Sequence, residues 1–199
     1  DACHGIYDPQ SGDTLIQGKS GLPVFVGAMA FAVRAAMQAA QERGGMAVGD
    51  VWLFNDPYEG GTHSNDFKLV APVFHQGQLF CFLASAAHWH DVGGAVPGNY
   101  NPAATECWQE AVQIPPVRIV CAGQLQPDVV AILKANTRLP DSLWGDLNGQ
   151  LAALDLENSY VVAHNMAFDG AILAWHYGIK PKYYIDTLSM ARPITGQTV

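Results

Sequence analysis

Apolar positions recur at spacings of three and four between Val24 and Arg43, where Val26, Met29, Ala30, Val33, Met37 and Ala40 form one stripe. Gly44-Gly45 ends the run, so the pattern predicts a helix laid along a core, with its methionines as packing. The period then shortens. Val51 to Phe54 is β-branched and aromatic, and Phe67 to Phe74 and Gln78 to Ser85 read as strands joined at His75-Gln76-Gly77, a hairpin. Upstream, Ile6-Tyr7 and Thr14-Leu15-Ile16 flank the turn Asp8 to Asp13 as a short strand pair. Downstream, the Pro-, Gly- and Asn-rich stretch Ala95 to Ala104 predicts a long loop, and Glu106 to Ala111 a helical turn. Pro115-Pro116 then stiffens the chain before a strand at Val117 to Cys121, and helices follow over Pro127 to Ala135 and Ser142 to Leu154. Beyond Asp155 the order is strand (Tyr160 to Ala163), helix (Phe168 to Tyr177), strand (Tyr183 to Ile185) and a helical start at Thr187, an α/β unit with parallel strands. The expected fold class is α/β in the mixed α+β sense: a hairpin-bearing mixed sheet with helices over residues 1–153, then a short strand-helix-strand-helix segment over 154–199.

Composition narrows the picture. Apolar residues make up 49% of the 199, enough for a packed core. No uninterrupted apolar run is long enough to span a bilayer, and the N-terminus lacks the basic segment and apolar stretch of a signal peptide. No membrane partner is expected, and the expected location is cytoplasmic. The chain opens on Asp1 rather than Met, as a fragment would. The net charge of −8 is concentrated before Asp155, and no basic patch announces nucleic acid. The four cysteines are far apart, without a Cys-x-x-Cys pair; Cys81 and Cys121 lie in apolar runs and are expected to be buried, reduced thiols.

The chemistry concentrates in two glycine-rich stretches, Asn55 to Asp66 and His88 to Gly94. If the hairpin forms, His63 and Asp66 precede its first strand and His88 follows its second, so all three arrive at one end. Two imidazoles and a carboxylate suit Mn, Fe or Zn better than Ca, and three protein ligands leave positions for water or substrate. A metal held there acts as a Lewis acid or lowers the pKa of bound water. His90 and Asp91 are candidate catalytic groups, orienting ligands or moving protons. Spacing alone leaves a second reading open, in which these are hydrogen-bonded loop residues. His4 and His75 fall outside the pattern, and His75 is expected to face solvent in its turn.

Residues 1 to about 153 resemble the family of hydantoinase B, 5-oxoprolinase and acetone carboxylase subunits. The resemblance rests on Asn55-Asp56-Pro57-Tyr58, Gly60-Gly61-Thr62-His63 leading to Asp66, and His88 through Asp91-Val92-Gly93-Gly94. It continues through Pro97-Gly98, Ile114-Pro115-Pro116-Val117, Leu133, Asn136-Thr137-Arg138 and Gly145-Asp146-Leu147. It covers an N-terminal portion of a subunit that is normally several times longer. The resemblance implies a manganese site, as in the carboxylase members, with ligands on His63, Asp66 and His88. It also implies a hydantoinase A-like partner that uses ATP to phosphorylate a small-molecule substrate, after which this subunit completes ring opening of a cyclic amide, or carboxylation.

Residues 155–199 resemble a different family. His164-Asn165-Met166-Ala167-Phe168-Asp169 and Asp186 to Arg192 look like part of a DnaQ-like 3′-5′ exonuclease, in which carboxylates hold two Mg or Mn ions. Asp169 matches one such carboxylate, with Asn165 in support and Asp186 a weaker match. The Asp-x-Glu block and the final His and Asp of that family have no counterpart, so no nuclease activity, and nucleic acid as a substrate only under this alternative, is expected. A third expectation is an inactive truncated or fused chain.

Overall fold

The structure, a computed structural model, describes residues 2–18, 21–98 and 100–155, together with the strands Tyr160–Ala163 and Tyr183–Asp186. The first unit, Asp1–Leu151, is built on a seven-stranded sheet. Its strands are β1 (Ala2–Tyr7), β2 (Thr14–Gln17), β3 (Val51–Phe54), β4 (Asp66–His75), β5 (Gln78–His88), β6 (Val117–Cys121) and β7 (Gln124–Leu125). Their order is β2-β1-β5-β4-β3-β6-β7, and every pairing is antiparallel. Helices α1 (Pro23–Gln41), α2 (Pro127–Ala135) and α3 (Pro140–Ala153) complete a mixed α+β fold. In the second unit, β8 (Tyr160–Ala163) and β9 (Tyr183–Asp186) pair in parallel, as the α/β reading predicts. The two helices expected there lie outside the described residues.

The β4–β5 hairpin is the centre of the sheet. Gln76 and Gly77 turn it with φ of 50° and 79°, the double positive φ that suits a two-residue hairpin loop. The resulting register sets Asp66 directly opposite His88. Both therefore belong to the strands themselves, Asp66 as the first residue of β4 and His88 as the last of β5, because pairing extends further than the apolar runs that predict it. His75 is half-buried beside the turn rather than solvent-facing, and Cys121 is half-buried, since β6 is covered on one side only by the two-residue β7. Cys3 and Cys81 are buried thiols.

Alternation along β4 and β5 sorts the two faces. Val70, Phe82, Ala84 and Ala86 pack with Trp52, Phe54 and the buried stripe of α1, which includes Phe25, Met29, Val33 and Ala36. Asp66, Lys68 and His88 share this face by the same alternation. α1 is long and apolar enough, by length and composition, to cross a membrane; in this fold its buried stripe makes it the core helix. On the opposite face Phe67 stacks on Trp89, with ring centroids 3.9 Å apart. The buried Gln150 of α3 accepts a hydrogen bond from the Trp89 indole at 2.7 Å and donates to the Phe67 carbonyl at 3.0 Å, so a polar side chain in the core is satisfied at both ends.

Two loops approach the open end of the hairpin, and each has a built anchor. Buried Asn55 donates to the carbonyls of Ser64 and Val112 at 2.6 and 2.7 Å and accepts from the Ile114 amide at 2.7 Å, tying the glycine-rich turn to the segment before β6. The second anchor is Asp91. Its carboxylate accepts from the amides of Gly93, Gly98 and Arg138 and from the Arg138 guanidinium at 3.2 Å, while that guanidinium also donates to the carbonyls of Gly93, Gly94 and Val96. Burial alone would raise the Asp91 carboxyl; the three amides and the guanidinium outweigh it and hold it down at about 2.

Two predictions follow from these loops. Gly60 has a φ of 77°, and a Cβ there would sit 2.2 Å from the Ala32 amide nitrogen of α1. Gly60→Ala should therefore cost more than about 2 kcal/mol, from left-handed strain plus a backbone clash. Gly77→Ala, strained in φ but open in space, should cost only about 1 kcal/mol in the same urea titration. For Asp91, a depressed folded pKa means that its stabilisation is complete above the ordinary value of 3.8 and is lost as pH falls towards about 2. The stability difference between the protein and Asp91→Asn should shrink by about 2 kcal/mol across that window, read by urea unfolding at each pH.

Candidate metal centre

The turn from Asp56 to Asn65 is shaped by its backbone. Asp56 caps the amide of Tyr58 at 2.9 Å, the Gly61 amide reaches the Pro57 carbonyl at 2.9 Å, and the Asp66 amide reaches the His63 carbonyl at 3.1 Å. The turn lies against α1 on one side and Lys68 on the other: a side chain at Gly60 would strike the helix backbone, and one at Gly61 would strike the Pro57 backbone at 2.8 Å as well as the Lys68 ammonium. Glycine is required at both places so that the backbone can approach so closely. Trp89 closes the other side by donating its amide to the Asn65 carbonyl at 3.0 Å.

This framework brings His63, Asp66 and His88 together. One ligand atom from each lies within 4.8 Å of the others. The His88 ring meets Asp66 Oδ1 through Nδ1 at 2.7 Å, the His63 ring meets Oδ2 through Nδ1 at 3.0 Å, and the two rings stand edge to face with centroids 5.9 Å apart. Oδ2 also accepts from the His63 amide at 2.9 Å and from the Thr62 hydroxyl. Exposure is graded: Asp66 is 2% exposed, His88 28% and His63 63%, so the carboxylate forms the floor and the imidazoles the walls of a site that opens to solvent.

Burial would raise the Asp66 carboxyl, but hydrogen bonds from His88 and Thr62 and positive charge at the two imidazoles hold it below its ordinary value. The group is an anion at neutral pH. Lys68, two residues along the same face, is almost wholly buried; it donates to the Asp56 carbonyl at 3.0 Å and lies 5.3 Å from the centre of the Phe54 ring. Burial lowers its pKa to about 8, against the pull of Asp66, Asp56 and Glu59. Thr62 and Lys68 are the groups that sequence reasoning missed as parts of the site. Thr62 stood inside the quoted motif, and a lysine in an otherwise apolar strand is a signal of its own.

Two nitrogens and one carboxylate oxygen converging from a hairpin end form a donor set that fits Mn, Fe or Zn. The other residues predicted for the site are placed differently. His90 is exposed, and its charge acts on Asp146, whose carboxyl is raised by burial and lowered in part by His90. Asp91 is engaged with the 93–98 loop and Arg138, as described above. Asp169 and Asn165 lie outside the described residues, and of Asp186 only its place in β9 is described.

Comparison with known proteins identifies the family and the fold. Residues 1–165 match the family described as hydantoinase B/oxoprolinase. The caprolactamase β subunit of Pseudomonas jessenii is 33% identical over 150 residues, covering 75% of this chain and 25% of the relative. The 5-oxoprolinase of Dictyostelium discoideum is 31% identical over 149 residues, covering 74% of this chain and 11% of the relative. The crystal structure of the ATP-dependent caprolactamase from Pseudomonas jessenii superposes with a TM-score of 0.71 at 33% identity, over 77% of this chain and 26% of that one. The chain thus spans about a quarter or less of the length of these relatives. The family match runs through His164-Asn165, where the exonuclease resemblance begins, and none of these comparisons supports that resemblance. The chain belongs to the hydantoinase B/oxoprolinase family.

Proposed function

We propose that residues 1–153 form the metal-bearing portion of a hydantoinase B-type subunit that opens a cyclic amide, working with a partner subunit that uses ATP. The observation that carries this reading is the meeting of His63, Asp66 and His88 at one end of the β4–β5 hairpin. The relatives supply the reaction class: a caprolactamase subunit and a 5-oxoprolinase, both named for ring amides. Carboxylation is the second reading within the same family, with the acetophenone carboxylase delta subunit 30% identical over 115 residues.

In this proposal His63 and His88 give ring nitrogens and Asp66 a carboxylate oxygen to a divalent cation, manganese first and iron or zinc as the other fits. The bound cation supplies Lewis acidity at an amide carbonyl or a water of lowered pKa. The chain's own residues set the rest. Burial of Asp66 keeps its charge poorly screened, so it attracts a cation strongly. The exposed His63 side leaves room for a small substrate to approach. His90, two residues beyond His88 and exposed, is kept as the proposed proton-transfer group although its charge acts on Asp146 rather than on the Asp66 carboxylate; Asp91 acts as a positioning residue by holding the 93–98 loop. Asp169 would belong only to the exonuclease alternative, which no geometric observation favours.

Metal analysis of the purified 199-residue chain tests the proposal. The protein should retain about one divalent ion per chain after desalting, while His63→Ala, His88→Ala and Asp66→Ala should each weaken retention by at least about tenfold. Equal metal content in all four proteins would remove the proposal.

A further inference from the structure

We propose that Thr62 is a positioning residue that decides which oxygen of Asp66 meets the cation, reserving Oδ1 for it and occupying Oδ2 itself. The inference rests on the metal-site reading above and adds a residue that reading does not use. The contacts on the carboxylate are unequal. Oδ2 accepts from three donors, the Thr62 hydroxyl, the His63 amide at 2.9 Å and the His63 ring at 3.0 Å, whereas Oδ1 meets the His88 ring at 2.7 Å. These contacts differ in what they do when a cation arrives. The Nδ1 atoms that now face Asp66 are taken as the ligating ones; a ring nitrogen that ligates a metal gives it the lone pair and has no proton to donate at that atom, so those two contacts lapse. A backbone amide and a hydroxyl proton remain available, and both are on Oδ2.

Oδ1 is then the oxygen with free lone pairs, and Asp66 binds through one oxygen rather than two. The Thr62 hydroxyl is well placed to enforce this, because its proton is committed to Oδ2 while its oxygen stands 3.4 Å from His63 Nδ1. The turn that carries it is pinned by Gly60 against α1 and by Gly61 against Lys68, so the hydroxyl has little freedom to move away. One-oxygen ligation has a consequence for selectivity. Calcium favours many oxygens and two-oxygen carboxylates, whereas a transition metal is satisfied by one oxygen and two nitrogens, so Thr62 sharpens discrimination against calcium.

The test is a manganese titration of the full chain, with free Mn(II) read by its electron paramagnetic resonance signal, repeated with calcium as competitor. Thr62→Val keeps the shape and removes the hydroxyl; Thr62→Ser keeps the hydroxyl. The expected result is about tenfold weaker manganese binding and a narrower manganese-over-calcium preference in Thr62→Val, with Thr62→Ser within about twofold of the parent. Thermal melts check folding, and Thr62→Ala replaces Thr62→Val should the latter not fold. Parent-like affinity and selectivity in the hydroxyl-free variant, with His88→Ala still losing manganese, would overturn the role of Thr62 and leave the metal site standing. No manganese binding by the parent chain would overturn both.

Discussion

A buried carboxylate at the open end of a hairpin is the constraint from which most of this structure follows. Asp66 is nearly inaccessible, and an isolated charge there would be costly; the protein offsets that cost with two imidazoles, a hydroxyl and an amide. Each of these donors needs its own support. His88 is held by register, since β4 and β5 pair without interruption from Asp66 to Val73. His63 and Thr62 are held by a turn that only glycine allows to pass between α1 and Lys68. Asn55 then fixes the far side of that turn to the chain before β6.

The two faces of the central hairpin do different work. Towards α1, apolar packing around Trp52, Phe54 and Val70 gives way near the strand ends to Asp66, Lys68 and His88, so the core and the polar site share one surface. The buried Lys68 ammonium and the buried Asp66 carboxylate attract each other across that polar end. Towards α3, the Phe67–Trp89 stack and the Gln150 hydrogen bonds hold β5 immediately after His88. The site therefore rests on strands and a clamped turn, the rigid kind of support that metal ligation requires.

Much of this was legible in the residues. The three- and four-residue spacing from Val26 to Ala40 identified α1, and the Gln76-Gly77 pair between two apolar runs identified the hairpin, because both signals are local. The convergence of His63, Asp66 and His88 followed from that hairpin. What stayed hidden depends on partners distant in sequence. β7 is two residues long and is defined by its turn at Ala122 and Gly123, with φ of 48° and 80°, rather than by its own composition. The Gln150–Trp89 bond joins residues 61 apart, and the use of Asp91 as an anchor needs Arg138, 47 residues away. The block around Asp169 lies outside the described residues, and without the rest of its constellation it carries little meaning.

The most direct test of the account is a crystal structure of the chain grown with manganese, with an anomalous-difference map collected at the manganese edge. The account predicts one strong peak within bonding distance of both the His63 and His88 rings and of a single Asp66 oxygen, Oδ1. A peak elsewhere, or His63 and His88 turned away from each other with Asp66 bonded only to protein donors, would contradict it.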